Sequence, residues 1–292
     1  MRQMSISALL LAAVAAAQPA SIRSGDPLVS PDGSRIALTS NGDGTPDLYL
    51  VAADGSGQLR LTRTPEEESY AGWSSDGKRL WFTIAASDSS RLFSIDRDGT
   101  HQTLIGSVPG RAVRISPDGR RVLYCTGSWT EVRLFVSALD GSHARQLTDG
   151  TSVVWGPRWS PDGKQIAFTG RDAAQQLHIV IVNAESGEQR QVTHLNAAQG
   201  RAQMPAWSSD GRQLAVQVNE GTQAASTSHI WTIDVANGAT RKLAAHTTAY
   251  LDEVPSWFPD GKRLAFQSNR TGRMEVWVMN ADGTDARQVT GR

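Results

Sequence analysis

Pro157-Arg158-Trp159-Ser160-Pro161-Asp162-Gly163-Lys164-Gln165-Ile166-Ala167-Phe168 reads as strand, tight turn, strand. Pro161 presets φ for the second position of a turn, Ser160 suits the first position and Gly163 the last. Lys164 to Phe168 then alternates as a half-buried strand does. The heart of the phrase returns at Ser30–Gly33, Ser74–Gly77, Ser116–Gly119, Ser208–Gly211 and Phe258–Gly261. Successive aspartates (Asp32, Asp76, Asp118, Asp162, Asp210, Asp260) lie 44, 42, 44, 48 and 50 residues apart. A period of this length marks a repeat architecture, and four-stranded propeller blades have it.

Each repeat supplies the rest of a blade. Third strands read at Leu48–Val51, Leu92–Ile95, Leu134–Val136, His178–Val182, Ile230–Ile233 and Val276–Met279. Asp54-Gly55, Asp98-Gly99, Asp140-Gly141, Asn237-Gly238 and Asp282-Gly283 are strong hairpin signals after five of them. Short fourth strands centre on Leu61-Thr62, Leu104-Ile105, Leu147-Thr148, Val192-Thr193, Leu243 and Val289-Thr290. The prediction is an all-β, six-bladed β-propeller with four antiparallel strands per blade. Its blades span about 22–63, 64–106, 107–149, 150–195, 196–245 and 246–292. The first strand of blade one opens the repeats and the fourth strand of blade six closes them. The ring is therefore expected to close by side-chain packing, with no strand exchange. Trp73, Trp159, Trp207 and Trp257 recur just before the turns, so they read as a packing row between blades.

Composition narrows the class. The 29 Lys+Arg balance 29 Asp+Glu, which argues against a nucleic-acid partner. Residues 1–17 read as a cleaved signal peptide: Arg2, a short apolar run, then Ala15-Ala16-Ala17. That run is too short to span a bilayer, and no other stretch is a candidate. The single cysteine, Cys125, falls inside a strand and reads as a packed thiol. One cysteine leaves no disulfide framework within the chain.

Pro255–Phe266, Ser268–Gly272 and Asp282–Thr290 together closely resemble the β-propeller repeat of TolB, and Pro157–Phe168 is nearly as close. The resemblance covers roughly residues 22–290. Similar repeats occur in propellers of the prolyl oligopeptidase family. TolB carries an α/β domain before its propeller, and the peptidases carry an α/β-hydrolase domain. The resemblance implies a TolB-like propeller standing alone, periplasmic or secreted, monomeric, and binding an envelope protein or peptide segment.

Strand order sorts the connections onto two faces. The Asp-Gly turns share one face; the longer, variable connections share the other, where binding is expected. The loops entering the inner strands nominate Glu67, Glu68, Tyr70, Arg111, Trp155, Arg201, Gln203, Tyr250, Asp252 and Glu253 as the channel mouth. Asn219–Ser228 is the loop expected to overhang it. Asn41, Asp43, Thr45 and Asp47 place oxygens at alternate positions, as calcium loops do, although no bidentate Glu follows. No other cofactor is indicated. His178 and His229 share a third-strand position with Asp47, Arg91, Arg133 and Glu275, read as an outward polar site. The sequence has no G-x-S-x-G, H-E-x-x-H or C-x-x-C motif, and no catalytic residue is assigned. The expectation is therefore a non-enzymatic binding module. A propeller hydrolase or lyase acting on a saccharide or lactone, and a glycan-binding propeller, stay open as alternatives.

Overall fold

The computed structural model describes residues 24–42, 44–128, 131–150, 154–172, 174–196, 198–222, 225–243 and 250–291. The expected leader, 1–17, lies outside them. Six four-stranded sheets form, each with its strands in chain order and each pair antiparallel. The first, innermost strands are Ser24–Val29, Glu68–Trp73, Arg111–Ile115, Trp155–Trp159, Arg201–Trp207 and Asp252–Trp257. The described residues contain no helix.

The repeated turn is stabilised by its own side chains. Ser160 Oγ donates to Asp162 Oδ1 at 2.6 Å, and the Lys164 N–H donates to the same oxygen at 3.0 Å. The Gln165 N–H in turn donates to Ser160 Oγ at 2.9 Å. Gly163 takes φ +67°, a conformation open to glycine. Equivalent serine bonds hold Asp32, Asp76, Asp118, Asp162 and Asp210 below the usual carboxylate range. A depressed folded pKa contributes stability above the unfolded value and loses it as pH falls through the folded value. The urea midpoint should therefore hold down to about pH 5 and drop steeply below about pH 4. A midpoint that stays level to about pH 2 would show that these bonds contribute nothing.

Fourth strands are short because one threonine does much of their work. Thr62, Thr148, Thr193 and Thr290 accept at Oγ1 from the N–H of Leu48, Leu134, Ile179 and Val276, at 2.8–3.0 Å. Gln146, Gln191 and Gln288 reach forward to cap the carbonyls of Thr148, Thr193 and Thr290. The Gln-x-Thr phrase is thus a fastener for the outer edge.

Six apolar clusters fill the molecule, one in each gap between neighbouring blades. The tryptophan row lies in these gaps. Trp73, Trp159 and Trp207 donate from Nε1 to the carbonyls of Leu28, Arg114 and Arg158 on the preceding blade, at 3.1–3.2 Å. The ring closes as expected, with each terminal sheet built from its own four strands. Val29, Ile36, Leu38, Tyr49 and Val51 pack on Phe258, Ala265, Val276, Val278 and Val289. Val29 N–H to Ser256 Oγ at 3.1 Å and Arg287 Nη2 to the Ala53 carbonyl at 2.7 Å reinforce the seam.

Two expectations are corrected. Asn219–Ser228 is not an irregular loop: blade five extends its middle strands to Gln213–Thr222 and Ala225–Asp234, paired up to Thr222 opposite Ala225. The polar position shared by His178 and His229 is not outward. Asp47, His178, His229 and Glu275 are buried there. Asp47 pairs with Arg60, His178 with Asp172, and Glu275 accepts from Thr290.

Candidate channel mouth on the loop face

Every inner strand breaks register once against its neighbour. The break is a bulge that takes left-handed backbone at Asp26, Ala112, Gly156, Met204 and Val254, with φ between +48° and +55°. Just ahead of the bulge, six residues occupy one level: Gly25, Ser69, Arg111, Trp155, Gln203 and Glu253. Their partners on the second strands are Thr39, Thr83, Cys125, Thr169, Gln217 and Gln267. Four of the ten residues expected at the mouth, Arg111, Trp155, Gln203 and Glu253, are thereby brought to one ring.

The ring is held by polar contacts across blades. Glu253 accepts from Gln217 Nε2 at 3.2 Å and Gln267 Nε2 at 3.1 Å. Gln267 Oε1 accepts the Asp26 N–H of blade one at 2.9 Å. Beside them a cleft of about 270 Å³ opens between Glu253, Gln267, Thr39 and Asn41. Arg111 donates to the carbonyls of Gly127 and Ser128, at 2.8 and 3.1 Å. The Arg171 guanidinium lies 5.8 Å from the Trp155 ring centre. Arg201 and Tyr250 are half-buried nearby in chain order, and Glu67 is exposed.

Glu68 and Asp252 do not join the ring. Glu68 is buried and accepts from the Thr62 and Thr64 hydroxyls. Burial pushes its pKa up, against the pull of those two hydroxyls. Asp252 is buried in a two-pronged pair with Arg270, at 3.2 and 2.6 Å. Strand alternation sends neighbouring residues to opposite faces, so each acid parts from the one beside it. In the Asn41–Asp47 loop, Asp47 turns inward to Arg60 at 2.5 Å and Thr45 Oγ1 donates to the Thr64 carbonyl at 3.3 Å. Asp43 lies outside the described residues. Among the described residues, no three His, Cys, Asp or Glu side chains are placed to share a metal ion.

A second polar level takes in Tyr70, expected at the mouth, with three residues that were not expected there. Behind the ring stand Asp26, Tyr70, Arg114 and Arg158, from blades one to four. Arg158 Nη2 lies 3.9 Å from Asp26 Oδ1. The Arg114 guanidinium lies 5.7 Å from the Tyr70 ring centre and donates to the Tyr70 carbonyl at 3.2 Å. The clue was present: at this phase the other blades have Leu28, Gly72, Ala206 and Ser256, and only blades three and four have arginine. The turn face is not blank either. A cleft of about 830 Å³ lies there between blades two and three, lined by Asp76, Arg79, Trp81, Arg97 and Asp118.

Comparison with known proteins places this geometry in a family. Residues 14–151 and 126–292 match the TolB beta propeller domain. Atu1656, an uncharacterized protein of Agrobacterium fabrum, is 27% identical over 67% of this chain and 70% of its own. The peptidase YuxL of Bacillus subtilis, itself uncharacterized, is 30% identical over 55% of this chain, which spans only 24% of that protein. TolB from Acinetobacter baumannii superposes with a TM-score of 0.68 at 18% identity, over 91% of this chain and 62% of its own. Expecting a non-enzyme from missing motifs is corrected here. Relatives include YuxL and a dipeptidyl-peptidase 5, and the fold is shared with a puromycin hydrolase and an oligogalacturonate lyase. A propeller can draw one side chain from each of several blades to its centre, so the lack of a linear motif excludes no chemistry.

Proposed function

The chain belongs to the TolB β-propeller domain family, and on that premise we propose that it is an exported binding propeller whose loop-face mouth grips a protein or peptide segment of the cell envelope. One observation carries this reading. At a single register level, where the scaffold repeats elsewhere, the six blades present Gly, Ser, Arg, Trp, Gln and Glu. An aromatic, an arginine, an acid and an amide around an opening supply the anchor and orienting groups of a recognition site. Trp155 is half-buried, so its ring offers area to a partner. The formal net charge of zero favours no polyanion. The reading of residues 1–17 as a leader supports a periplasmic or secreted location.

Capture of partners from an envelope extract tests this. The wild-type protein should retain a defined partner. Trp155→Ala combined with Arg201→Ala should weaken retention about 30-fold or more, the loss typical of an aromatic anchor. Lys78→Ala with Arg97→Ala, on the turn face, should leave it intact. Undiminished retention by the mouth variant would move the site elsewhere.

A further inference from the structure

Resting on the reading that the mouth takes a protein or peptide segment, we propose that the cleft beside Glu253 receives a lysine side chain of that segment, its ammonium on the Glu253 carboxylate and its methylene stem along Pro46 and Met274. The cleft of about 270 Å³ lies at the seam between blades six and one, next to the ring. Clefts that take whole small molecules run to about 300–1,000 Å³, so this one suits a single side chain. Glu253, Thr39 and Asn41 bring carboxylate, hydroxyl and amide oxygens to its wall, and no Lys, Arg or His lines it.

Glu253 is the charge this cleft leaves unmatched. Its Oε1 accepts from Gln217 Nε2 and its Oε2 from Gln267 Nε2. Both donors are neutral amides, so they orient the carboxylate without cancelling its charge. Among the described residues Glu253 has no ion-pair partner. The other acid of the cleft, Asp26, faces Tyr70 and Arg158 behind the ring, with Arg158 at 3.9 Å. A half-buried carboxylate loses hydration and gains nothing in return until a cation arrives. The form of that cation follows from the lining. Each carboxylate oxygen already holds an amide N–H, so the rigid two-pronged fork of an arginine meets an acceptor occupied at both prongs. A compact ammonium with three rotatable donors reaches the remaining lone pairs and the Thr39 hydroxyl together. Pro46 and Met274 offer apolar surface to the stem behind it, as long cationic side chains require.

Three probes separate charge from stem: N-acetyl-Gly-Lys-Gly amide, N-acetyl-Gly-norleucine-Gly amide, and triglycine amide with a free N-terminus. NMR titration at low, fixed ionic strength, following the Gln217 and Gln267 side-chain N–H signals, reads even weak binding at this cleft. The lysine peptide should bind, and added salt should weaken it. The norleucine peptide, with the stem and no charge, should not bind. Triglycine amide, with an ammonium and no stem, should bind several-fold more weakly than the lysine peptide. Glu253→Gln should weaken the lysine peptide about tenfold, the worth of one bond to a charged group. Met274→Ala, which leaves the polar ring untouched, should weaken it about fourfold, the share of one buried methylene. That second variant decides the matter if Glu253→Gln lowers the melting temperature. Binding of the norleucine or triglycine probe as tight as that of the lysine peptide, binding unchanged in both variants, or no binding by the wild type would each overturn the proposal. If partner capture depends on Trp155 and Arg201 but the lysine peptide fails to bind, the lysine cleft alone is wrong. If the probes behave as expected while the mouth variant keeps its partner, the mouth reading alone is wrong.

Discussion

Phe258→Ala is expected to lower the unfolding free energy by about 3–5 kcal/mol, the cost of emptying a buried aromatic site. Phe258 is fully buried in the cluster that joins blade six to blade one. It stands where the other five turns have serine. Blade six forgoes the serine bonds, and Arg263 substitutes: its Nε donates to Asp260 Oδ2 at 2.9 Å while its guanidinium lies 4.2 Å from the Phe258 ring centre. The two effects can be weighed. A turn hydrogen bond is worth about 1 kcal/mol net, well under the packing of a buried phenylalanine. Phe258→Ser, which restores the repeat's own turn, should therefore still destabilise, by roughly 2–4 kcal/mol. Urea unfolding of both variants checks this. A loss below about 1 kcal/mol for the alanine variant would mean that the seam is not held by packing.

Arg270→Ala should cost a similar amount, about 3–5 kcal/mol, for an electrostatic reason. The Asp252 side chain is 4% exposed, and Arg270 is its two-pronged partner. Without Arg270 the carboxylate stays buried and loses its two guanidinium bonds. The guanidinium also lies beside two rings, 5.3 Å from the Phe266 centre and 5.4 Å from that of Trp277, so packing is lost with it. Removing both charges by Arg270→Met with Asp252→Leu should cost much less than either single change, because no orphaned charge remains. A double-mutant cycle in urea gives the coupling. Additive, small losses would show that the pair is idle.

The architecture was legible because its signals are local. Turn residues, strand alternation and the period lie within a few residues of one another, and the ring closure follows from where the repeats begin. The site was legible only in part. Glu67 and Glu68, or Asp252 and Glu253, look like acidic pairs in a sequence, but strand alternation separates each pair. Asp47 looked like a loop ligand, yet it is the first residue of the strand Asp47–Ala52 and is buried against Arg60. Arg114 and Arg158 were hidden inside the phrase that builds the strand, and their convergence with Tyr70 and Asp26 needs four blades to be placed at once. Catalytic status was not legible for the same reason. The match to TolB propellers extends to proteins named as enzymes, of which this chain spans only a part.

The loop-face assignment is tested most directly by where a bound partner touches the molecule. A photo-crosslinking residue placed at position 155 or 203, on the mouth ring, should join covalently to a protein or peptide of the envelope. The same residue at position 78, beside the turn-face cleft, should not. Crosslinks confined to position 78 would contradict the assignment and move the binding site to the opposite face.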